Sequence, residues 1–231
     1  METVRLFCKD GNYKRVSTSS CVRIETDRYC LVWSANVIGP GLLSIISMVK
    51  AHVKKQVKDG NVRHVVDKPL FCDLSGTNYD TKPFVEIDIS AAYATAARNI
   101  GALSEKMYQM LMKISKRSRL IAVGCLGTKR IVTEYEEWKQ TSSGVEFDAD
   151  TLAVWNSIVA EVDREMRQLR RMAGPDFLMY WTDAMFVLPS AKDRIMSIIP
   201  STGYAAKHKT SGELRKYKEY VLASDGRRFC L

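Results

Sequence analysis

The stretch FLMYWTDAMFVLP, residues 177–189, decides how the chain is interpreted. It holds two apolar runs, 177–181 and 184–188, separated by the polar dipeptide Thr182-Asp183. Two such runs with a two-residue polar break predict a β-hairpin, so Asp183 is expected at its tip. A carboxylate at this place has three explanations: it forms the turn, it is a paired charge in the core, or it holds a cation. Because an unpaired buried carboxylate is unfavourable, the rest of the chain has to decide among them.

A second acidic segment precedes the hairpin. FVEIDIS, residues 84–90, alternates so that Glu86 and Asp88 share one face of a strand and the β-branched residues share the other. If this strand pairs with the hairpin, Asp88 and Asp183 can face each other. Two close carboxylates repel unless a cation lies between them. Glu86 is open to three interpretations: a third ligand, a neighbour that makes the site more basic, or a solvated charge.

The chemistry that fits such a pair of carboxylates is phosphoryl transfer. Mg²⁺ prefers oxygen ligands and usually takes one or two carboxylates together with substrate phosphates. Two metal ions about 4 Å apart hold both the attacking and the leaving oxygen of that reaction. Nearby Lys and Arg side chains would neutralise a triphosphate. An acidic pair surrounded by cations therefore indicates a nucleotidyl-transfer site.

The chain carries an excess of positive charge, with 35 Lys and Arg against 26 Asp and Glu and a formal net charge of +9. This surplus suits a polyanionic partner, and the alternative is that it only favours solubility. The basic residues cluster at 54–64, 113–119, 164–171 and 207–220. The last cluster contains Tyr217 and Tyr220, and cations interleaved with aromatics suit a surface on which bases stack. An exposed basic helix face is the other explanation for the third cluster.

The cysteines and the hydropathy of the chain indicate the cellular compartment of the protein. The chain has 6 cysteines and none of them forms a CxxC pair, so we expect free thiols in a reducing compartment and no zinc site. No apolar run is long enough to span a bilayer, and the first residues lack the apolar region of a signal peptide. The sequence therefore predicts a cytoplasmic protein without a membrane partner.

The pattern of the whole chain predicts an α+β protein in which an antiparallel sheet has helices on one face. Helices are predicted at 42–58, 91–103, 104–123, 151–172 and 190–199. Further strands are predicted within 22–39 and in a final hairpin made by 214–222 and 227–231. The polar segment 142–150 predicts a loop, and residues 68–83, rich in Gly, Pro, Asn, Asp and Ser, predict a boundary.

Four segments resemble the motifs of one enzyme family. DISAAYAT (88–95) is similar to motif A of family B DNA polymerases, RLIAVGCLG (119–127) to motif B, and YWTDAMFV (180–187) to motif C. RKY (215–217) is similar to the basic K-x-Y element that grips primer and template. The resemblance is to the palm of the protein-primed phage and plasmid type, and it covers about residues 84–220.

The resemblance implies a fold and a division of the chain. It implies a palm-type antiparallel sheet with helices packed on one face and a short helical hairpin in the place of the fingers. Residues 1–80 would form an N-terminal region of unclear role, 81–200 the catalytic core, and 201–231 a thumb-like hairpin that grips nucleic acid. No exonuclease domain is expected, because Arg23 stands where RIETD would need its first Asp.

The resemblance also implies roles for single residues. Asp88 and Asp183 would hold two Mg²⁺ or Mn²⁺ ions, with the backbone carbonyl of Ile89 as a further ligand. The residues implied for the nucleotide are Tyr93 under its sugar, Arg119 on its triphosphate and Gly127 beside the nascent base pair. The residues implied for contact with nucleic acid are Lys129, Arg215, Lys216 and Tyr217.

The implied activity is that of a metal-dependent nucleotidyltransferase, a minimal DNA-directed DNA polymerase or a primase. Its expected partners are DNA and dNTPs, with other replication proteins as further candidates, and a phage gene would place it in the cytoplasm of a bacterial host. An archaeo-eukaryotic-type primase is disfavoured, since Glu86-x-Asp88 mimics its D-x-D strand but no S-x-H follows in the right place.

Several positions depart from the family pattern. Trp181 and Ala184 differ in motif C, and Val123 and Leu126 differ in motif B. These departures concern nucleotide selection more than metal binding. They motivate the alternative of an inactive palm that binds DNA and organises a replication complex.

Overall fold

The computed structural model describes residues 4, 8–18, 21–34, 40–74 and 80–230. Its strands, in chain order, are β1 (Tyr13–Ser17), β2 (Cys21–Glu25), β3 (Cys30–Ser34), β4 (Cys72–Asp73), β5 (Thr81–Ser90), β6 (Lys129–Glu136), β7 (Lys139–Phe147), β8 (Phe177–Trp181), β9 (Ala184–Val187), β10 (Ala205–Lys216), β11 (Tyr220–Ala223) and β12 (Arg228–Cys230). The α-helices of the described residues are α1 (Pro40–Lys58), α2 (Ala92–Asn99), α3 (Glu105–Met112), α4 (Lys116–Gly124), α5 (Ala149–Ala173) and α6 (Lys192–Ile198). The α+β class with antiparallel strand pairing is confirmed, whereas the palm type stays a prediction.

The chain groups into two compact units. The first comprises residues 1–59 and 117–155, and the second comprises 60–116 and 156–231. Each unit builds one sheet, with the strand order β3-β2-β1-β6-β7 in the first and β12-β11-β10-β5-β9-β8-β4 in the second. The functional domains predicted from the sequence, divided after residues 80 and 200, stay a prediction.

The sheet of the first unit contains a strand that the sequence did not predict. Most of segment 142–150, expected as a loop, belongs to β7, which pairs with β6. The turn between the two strands uses Glu137 and Trp138 with φ of 48° and 70°. Such left-handed turn residues match the twist of a tight hairpin. The expectation was wrong because pairing with β6 supplies the backbone hydrogen bonds, and this requires no apolar side chains.

The segment expected as one long basic helix, residues 104–123, forms the two helices α3 and α4. Ser104 accepts a hydrogen bond from the Met107 backbone N–H at 3.4 Å and so caps the start of α3. Ser115 directly precedes α4, and serine is a favoured residue before a first helical turn. The basic stretch is therefore interrupted by a second helix start.

Strand β5 lies at the centre of the second sheet, between β10 and β9. On one face its Ile87 is paired with Met185 of β9, which is paired in turn with Tyr180 of β8. The Tyr180 hydroxyl donates a hydrogen bond to Asp163 of α5 at 2.9 Å. The amphipathic helix α5, predicted from its apolar spacing, therefore contacts this face of the sheet.

The opposite face of β5 carries Glu86 and Asp88 beside a small aromatic core. Ring centroids are 5.3 Å apart between Phe84 and Phe186, and again 5.3 Å apart between Phe186 and Phe229 of β12. Phe84, Phe186 and Phe229 are all buried. The interpretation of Glu86 as a solvated strand charge is therefore wrong, because residues of the C-terminal strands cover this face.

All six cysteines are free, as predicted. Among the described residues, no helix has the length and apolar character that crossing a membrane requires. The reducing compartment inferred from the cysteines stays a prediction.

Candidate active site

The β8–β9 hairpin places Thr182-Asp183 at its tip, as the sequence predicted. Thr182 has φ of 52°, a left-handed conformation that costs energy for a β-branched residue. Two backbone hydrogen bonds hold the tip: the Thr182 N–H donates to the Phe71 carbonyl at 2.6 Å, and the Ile89 N–H donates to the Asp183 carbonyl at 2.9 Å. The turn is therefore fixed from both sides, and its second bond ties it directly to the end of β5.

This turn brings Asp88 and Asp183 together. Asp88 is paired in register with Ala184, the residue that follows Asp183. Both aspartates line a pocket of about 310 Å³ in the second unit. The other residues that line the pocket are Glu86, Trp181, Thr182, Ala184, Phe186, Lys209, Arg227, Arg228 and Phe229. The pairing of β5 with the hairpin, on which the predicted site depended, is thus observed.

The two aspartates have different surroundings. Asp88 is largely buried, with 8% of its surface exposed, and the Lys207 Nζ lies 3.6 Å from its Oδ2. Asp183 is half-buried and accepts a hydrogen bond from the Thr182 hydroxyl at 3.0 Å. Within the described part of the chain, no Lys, Arg or His forms an ion pair with Asp183. One carboxylate of the pair is therefore neutralised by the protein and the other is not.

Glu86 is completely buried and paired with two cations. Arg227 donates to its Oε1 at 2.8 Å and to its Oε2 at 2.6 Å, and Lys209 donates to Oε1 at 2.9 Å. Burial alone would raise the pKa of the Glu86 carboxyl, but these hydrogen bonds outweigh it and hold the pKa below its ordinary value. Because both oxygens are already engaged, Glu86 supports the pocket wall and is a poor candidate for a third metal ligand.

Tyr93 lies in α2, the helix that follows β5. Ala91, two residues before it, has a left-handed φ of 53° and turns the chain from β5 into α2. Burial and, after it, the negative charge of Asp183 raise the pKa of the Tyr93 hydroxyl. The structure therefore brings Asp88 and Asp183 together in one pocket, and Tyr93 belongs to the same unit.

The first unit contains Arg119 and Gly127, which were predicted to contact the nucleotide, and Lys129, which was predicted to contact nucleic acid. Arg119 lies half-exposed in α4, and Lys129 lies exposed at the start of β6. Gly127 ends a 3₁₀ turn, Cys125–Gly127, and a Cβ at this position would overlap the indole ring of Trp155. Packing against Trp155 thus gives a sufficient reason for this glycine. The roles of these residues toward a nucleotide or DNA stay predictions.

The other residues predicted to contact nucleic acid lie at the end of β10. Arg215, Lys216 and Tyr217 are all exposed. The Tyr217 ring stacks on Tyr220 with centroids 4.6 Å apart and planes 15° apart. The Arg228 guanidinium lies over the other ring of this pair, 3.6 Å from the centroid of Tyr220.

Sequence reasoning missed the contribution of Arg227, Arg228 and Phe229 to the pocket. Residues 227–231 were predicted only as the second strand of a final hairpin. The consecutive arginines next to an aromatic were a visible signal, but their contacts depend on strand pairing across the sheet. Glu86 and Arg227 are 141 residues apart in the chain, and no local pattern connects them.

The donors present at the site fit a divalent cation that is completed by its substrate. Among the residues that the structure describes, no group of three or more His, Cys, Asp or Glu could hold a metal ion by itself. Mg²⁺ nevertheless binds readily through one or two carboxylates when water and phosphate oxygens fill its other positions. Asp88 and Asp183 supply those two carboxylates in one pocket.

Comparisons of the chain with protein-family models, with curated proteins and with solved structures find no significant match. The resemblance to the family B polymerase palm accordingly stays a prediction from motifs. The function is inferred from the site itself: two carboxylates in one pocket, one of them without an ion pair among the described residues.

Proposed function

We propose that the protein is a metal-dependent nucleotidyltransferase, a DNA polymerase or primase that adds dNTPs to a DNA strand. The observation that carries this proposal is the presence of Asp88 and Asp183 side by side in one pocket. Their separation along the chain is large, and strand pairing alone brings them together. The two carboxylates repel each other and Lys207 pairs with Asp88 alone, so a divalent cation held by both would relieve the repulsion, as in phosphoryl transfer.

The residues of the pocket would have different roles in this reaction. Asp88 and Asp183 would hold Mg²⁺ or Mn²⁺, which supplies the positive charge that activates a 3′-hydroxyl and stabilises the departing pyrophosphate. Lys209 and Arg227 line the same pocket and pair with the buried Glu86, so they hold one wall of the pocket in place. Asp88 is fixed by β5 and Asp183 by the tied hairpin tip, so both ligands are held rigidly before the substrate binds.

Tyr93 supports the choice of a nucleotide as substrate. The resemblance to motif A implies that its ring lies under the sugar of the incoming nucleotide, and the charge of Asp183 contributes to the raised pKa of its hydroxyl. An aromatic ring beside the metal-bound phosphates provides a flat surface for a sugar or a base. A Tyr93→Phe variant would keep that surface, whereas Tyr93→Ala would remove it.

A second candidate is a palm-like protein that binds DNA without catalysis. The observation that favours it is the ion pair between Lys207 and Asp88, which neutralises one of the two proposed ligands without any metal. Trp181 also lines the pocket at a position where the resembled motif has a carboxylate. The experiment that tests the first candidate separates it from this one.

The test is incorporation of labelled dNTPs by the purified protein on primed and unprimed single-stranded DNA, with Mg²⁺ or Mn²⁺. We expect incorporation by the native protein, and a loss of at least about a hundredfold in both Asp88→Asn and Asp183→Asn, because each variant removes a metal-binding charge. Product on the unprimed template would identify a primase. Asp193→Asn is the matched control, since Asp193 is exposed on α6 and lies outside the pocket.

Two results would count against the transferase. Incorporation that survives in both Asp88→Asn and Asp183→Asn would show that the metal site is misassigned. Absence of incorporation, together with salt-sensitive DNA binding that neither substitution alters, would support the non-catalytic DNA-binding protein.

A further inference from the structure

We infer that Lys207 is a releasable counterion of Asp88: it pairs with this carboxylate until a metal-bound polyphosphate enters, and then pairs with the phosphates. Lys207 thereby weakens the binding of a divalent cation alone and strengthens the binding of a cation that arrives with its phosphates. This inference rests on the proposed function and adds to it a residue that discriminates between these two ligands.

Lys207 and Asp88 lie opposite each other on neighbouring strands. They are paired in register between β10 and β5, so their side chains share one face of the sheet. The Lys207 Nζ lies 3.6 Å from the Oδ2 of the largely buried Asp88. Among the described residues, no second cation pairs with Asp88 and no group donates a hydrogen bond to its carboxylate. Lys207 is therefore what balances the charge of Asp88 in this part of the chain.

This ion pair is loose. Its 3.6 Å is longer than a charge-assisted hydrogen bond, which measures about 2.7–2.9 Å, whereas Glu86 receives bonds of 2.6, 2.8 and 2.9 Å from Arg227 and Lys209. The Lys207 side chain is also 56% exposed, and a flexible lysine at such a position gains little from its pair. Lys207 can therefore leave Asp88 at low cost.

The neighbouring Lys209 has a different partner. The register of β5 and β10 shifts between His208 and Thr210, which makes Lys209 the extra residue of a β-bulge. Such bulges are frequent beside active sites, where they redirect a side chain. Lys209 bonds Glu86 at 2.9 Å. The two lysines thus have separate roles: Lys209 belongs to the hydrogen-bonded group around Glu86, and Lys207 pairs with Asp88 alone.

Asp88 remains accessible from the pocket. It lines the pocket together with Asp183, whereas Lys207 does not line it, so part of the Asp88 surface faces the pocket without cover from Lys207. A divalent cation held there brings two positive charges close to the ammonium group, which is repelled. Mg²⁺ in such sites also binds phosphate oxygens, and these give Lys207 a new negative partner beside the one that it leaves.

The role of Lys207 is thus a coupling between metal and phosphate binding. Without phosphates, the cation has to displace Lys207 from its only partner, which costs affinity. With phosphates, the displaced lysine forms a new ion pair. Removal of this positive charge should therefore change the two affinities in opposite directions. A lysine that only holds Asp88 in place would not show this, because its loss would lower both affinities.

The test compares two titrations at constant ionic strength: Mn²⁺ alone, followed by electron paramagnetic resonance, and preformed Mg²⁺–tripolyphosphate, followed by calorimetry. We expect Lys207→Gln to bind Mn²⁺ about fivefold more tightly and Mg²⁺–tripolyphosphate about fivefold more weakly, in line with the small energies of exposed ion pairs. Lys207→Arg should bind Mn²⁺ more weakly than the native protein, because a planar guanidinium can form two bonds to Asp88 and is harder to displace.

Lys106→Gln is the matched control. It removes the same charge from an exposed position on α3, in the same unit and outside the pocket, and should leave both affinities near the native values. Circular dichroism shows whether each variant is folded. If Lys207→Gln does not fold, the Lys207→Arg variant decides, since it keeps the ion pair with Asp88.

Three outcomes would overturn the counterion: equal effects of Lys207→Gln and Lys106→Gln, a fall of both affinities in Lys207→Gln, or a Mn²⁺ affinity of Lys207→Arg that is not below the native one. The counterion and the transferase can fail separately. Opposite shifts in Lys207→Gln without dNTP incorporation would support the counterion and reject the transferase. Incorporation by a protein whose two affinities do not depend on Lys207 would do the reverse.

Discussion

At the scale of single residues, the Glu86–Arg227 pair determines how the pocket is closed on one side. Arg227 also bonds Asp225 at 2.7 Å, and its guanidinium carbon lies 5.6 Å from the centre of the Phe186 ring. Hydrogen bonds to Glu86 and then to Asp225 raise the pKa of Arg227. The turn that precedes β12 is thereby fixed to the centre of the sheet.

Replacing Glu86 by Gln should destabilise the protein in a way that depends on pH. Removing one partner of a buried pair costs about 3–5 kcal/mol, and we expect the lower end because Lys209 and Arg227 reach solvent. The folded pKa of Glu86 lies below its ordinary value of 4.5, so its contribution is complete above that pH and is lost as the pH falls through the folded pKa.

Urea unfolding of the native protein and Glu86→Gln between pH 3 and 7 measures this effect. The difference in the free energy of unfolding should be largest at neutral pH and shrink as the pH falls below 4.5, because the Glu86 carboxyl of the unfolded state binds a proton there while the native one stays ionised to lower pH. Glu213→Gln serves as the control on an exposed carboxylate. A difference that is constant over the whole range would show that the charge of Glu86 is not what stabilises the fold.

At the scale of elements, a short strap connects α5 to the hairpin tip. We define the Phe71 strap as residues 71–73, which include β4. Asp163 of α5 accepts hydrogen bonds from the Phe71 N–H at 3.2 Å and from the Tyr180 hydroxyl at 2.9 Å. The Phe71 carbonyl in turn accepts from the Thr182 N–H. Helix α5 thus fixes the hairpin tip indirectly. Its Asp163 holds the Phe71 N–H, and the Phe71 carbonyl holds the N–H of Thr182, which precedes Asp183.

We expect Asp163→Ala to weaken Mn²⁺ binding by about tenfold, because loss of an outer support commonly costs tenfold or more in metal affinity. Asp163→Asn keeps an oxygen acceptor for Phe71 and Tyr180, so it should retain most of the affinity while losing the ion pair with Arg167. Titration of Mn²⁺ followed by electron paramagnetic resonance measures both variants, with Asp193→Ala as a control on exposed α6. Equal affinities for the Ala and Asn variants would reject the support through the strap.

The elements differ in how far the sequence predicts them. The hairpin and α5 follow from local patterns. In the hairpin, two polar residues separate two apolar runs, and in α5 the apolar residues recur at helical spacing. Strand β7 carries mostly polar, exposed side chains, and it is a strand only because β6 pairs with it. The environment of Glu86 depends on a residue 141 positions away, so alternation could place its side chain on a face but could not supply its partner.

At the scale of the whole molecule, the net charge of +9 comes from basic clusters that differ in how many of their residues form ion pairs. In the basic cluster at 164–171, Arg164 bonds Glu161, Arg167 bonds Asp163 and Arg170 bonds Asp73. This cluster therefore stabilises the second unit more than it offers a binding surface. At the end of β10, by contrast, Lys216 and Lys218 form no ion pair with any described residue, and this is where we expect a polyanion to bind.

Binding of single-stranded DNA should therefore depend steeply on salt and on the end of β10. Each cation that neutralises a phosphate adds about 0.7 to the slope of log affinity against log salt concentration for single strands. Lys216→Gln should reduce the slope by about that amount, and Tyr217→Ala should weaken binding by about 1–3 kcal/mol with little change in slope, because it removes a stacked base. Fluorescence anisotropy across a salt series measures both quantities. Arg171→Gln removes the same charge elsewhere, and a loss of slope equal to that of Lys216→Gln would show that net charge, and not this surface, governs binding.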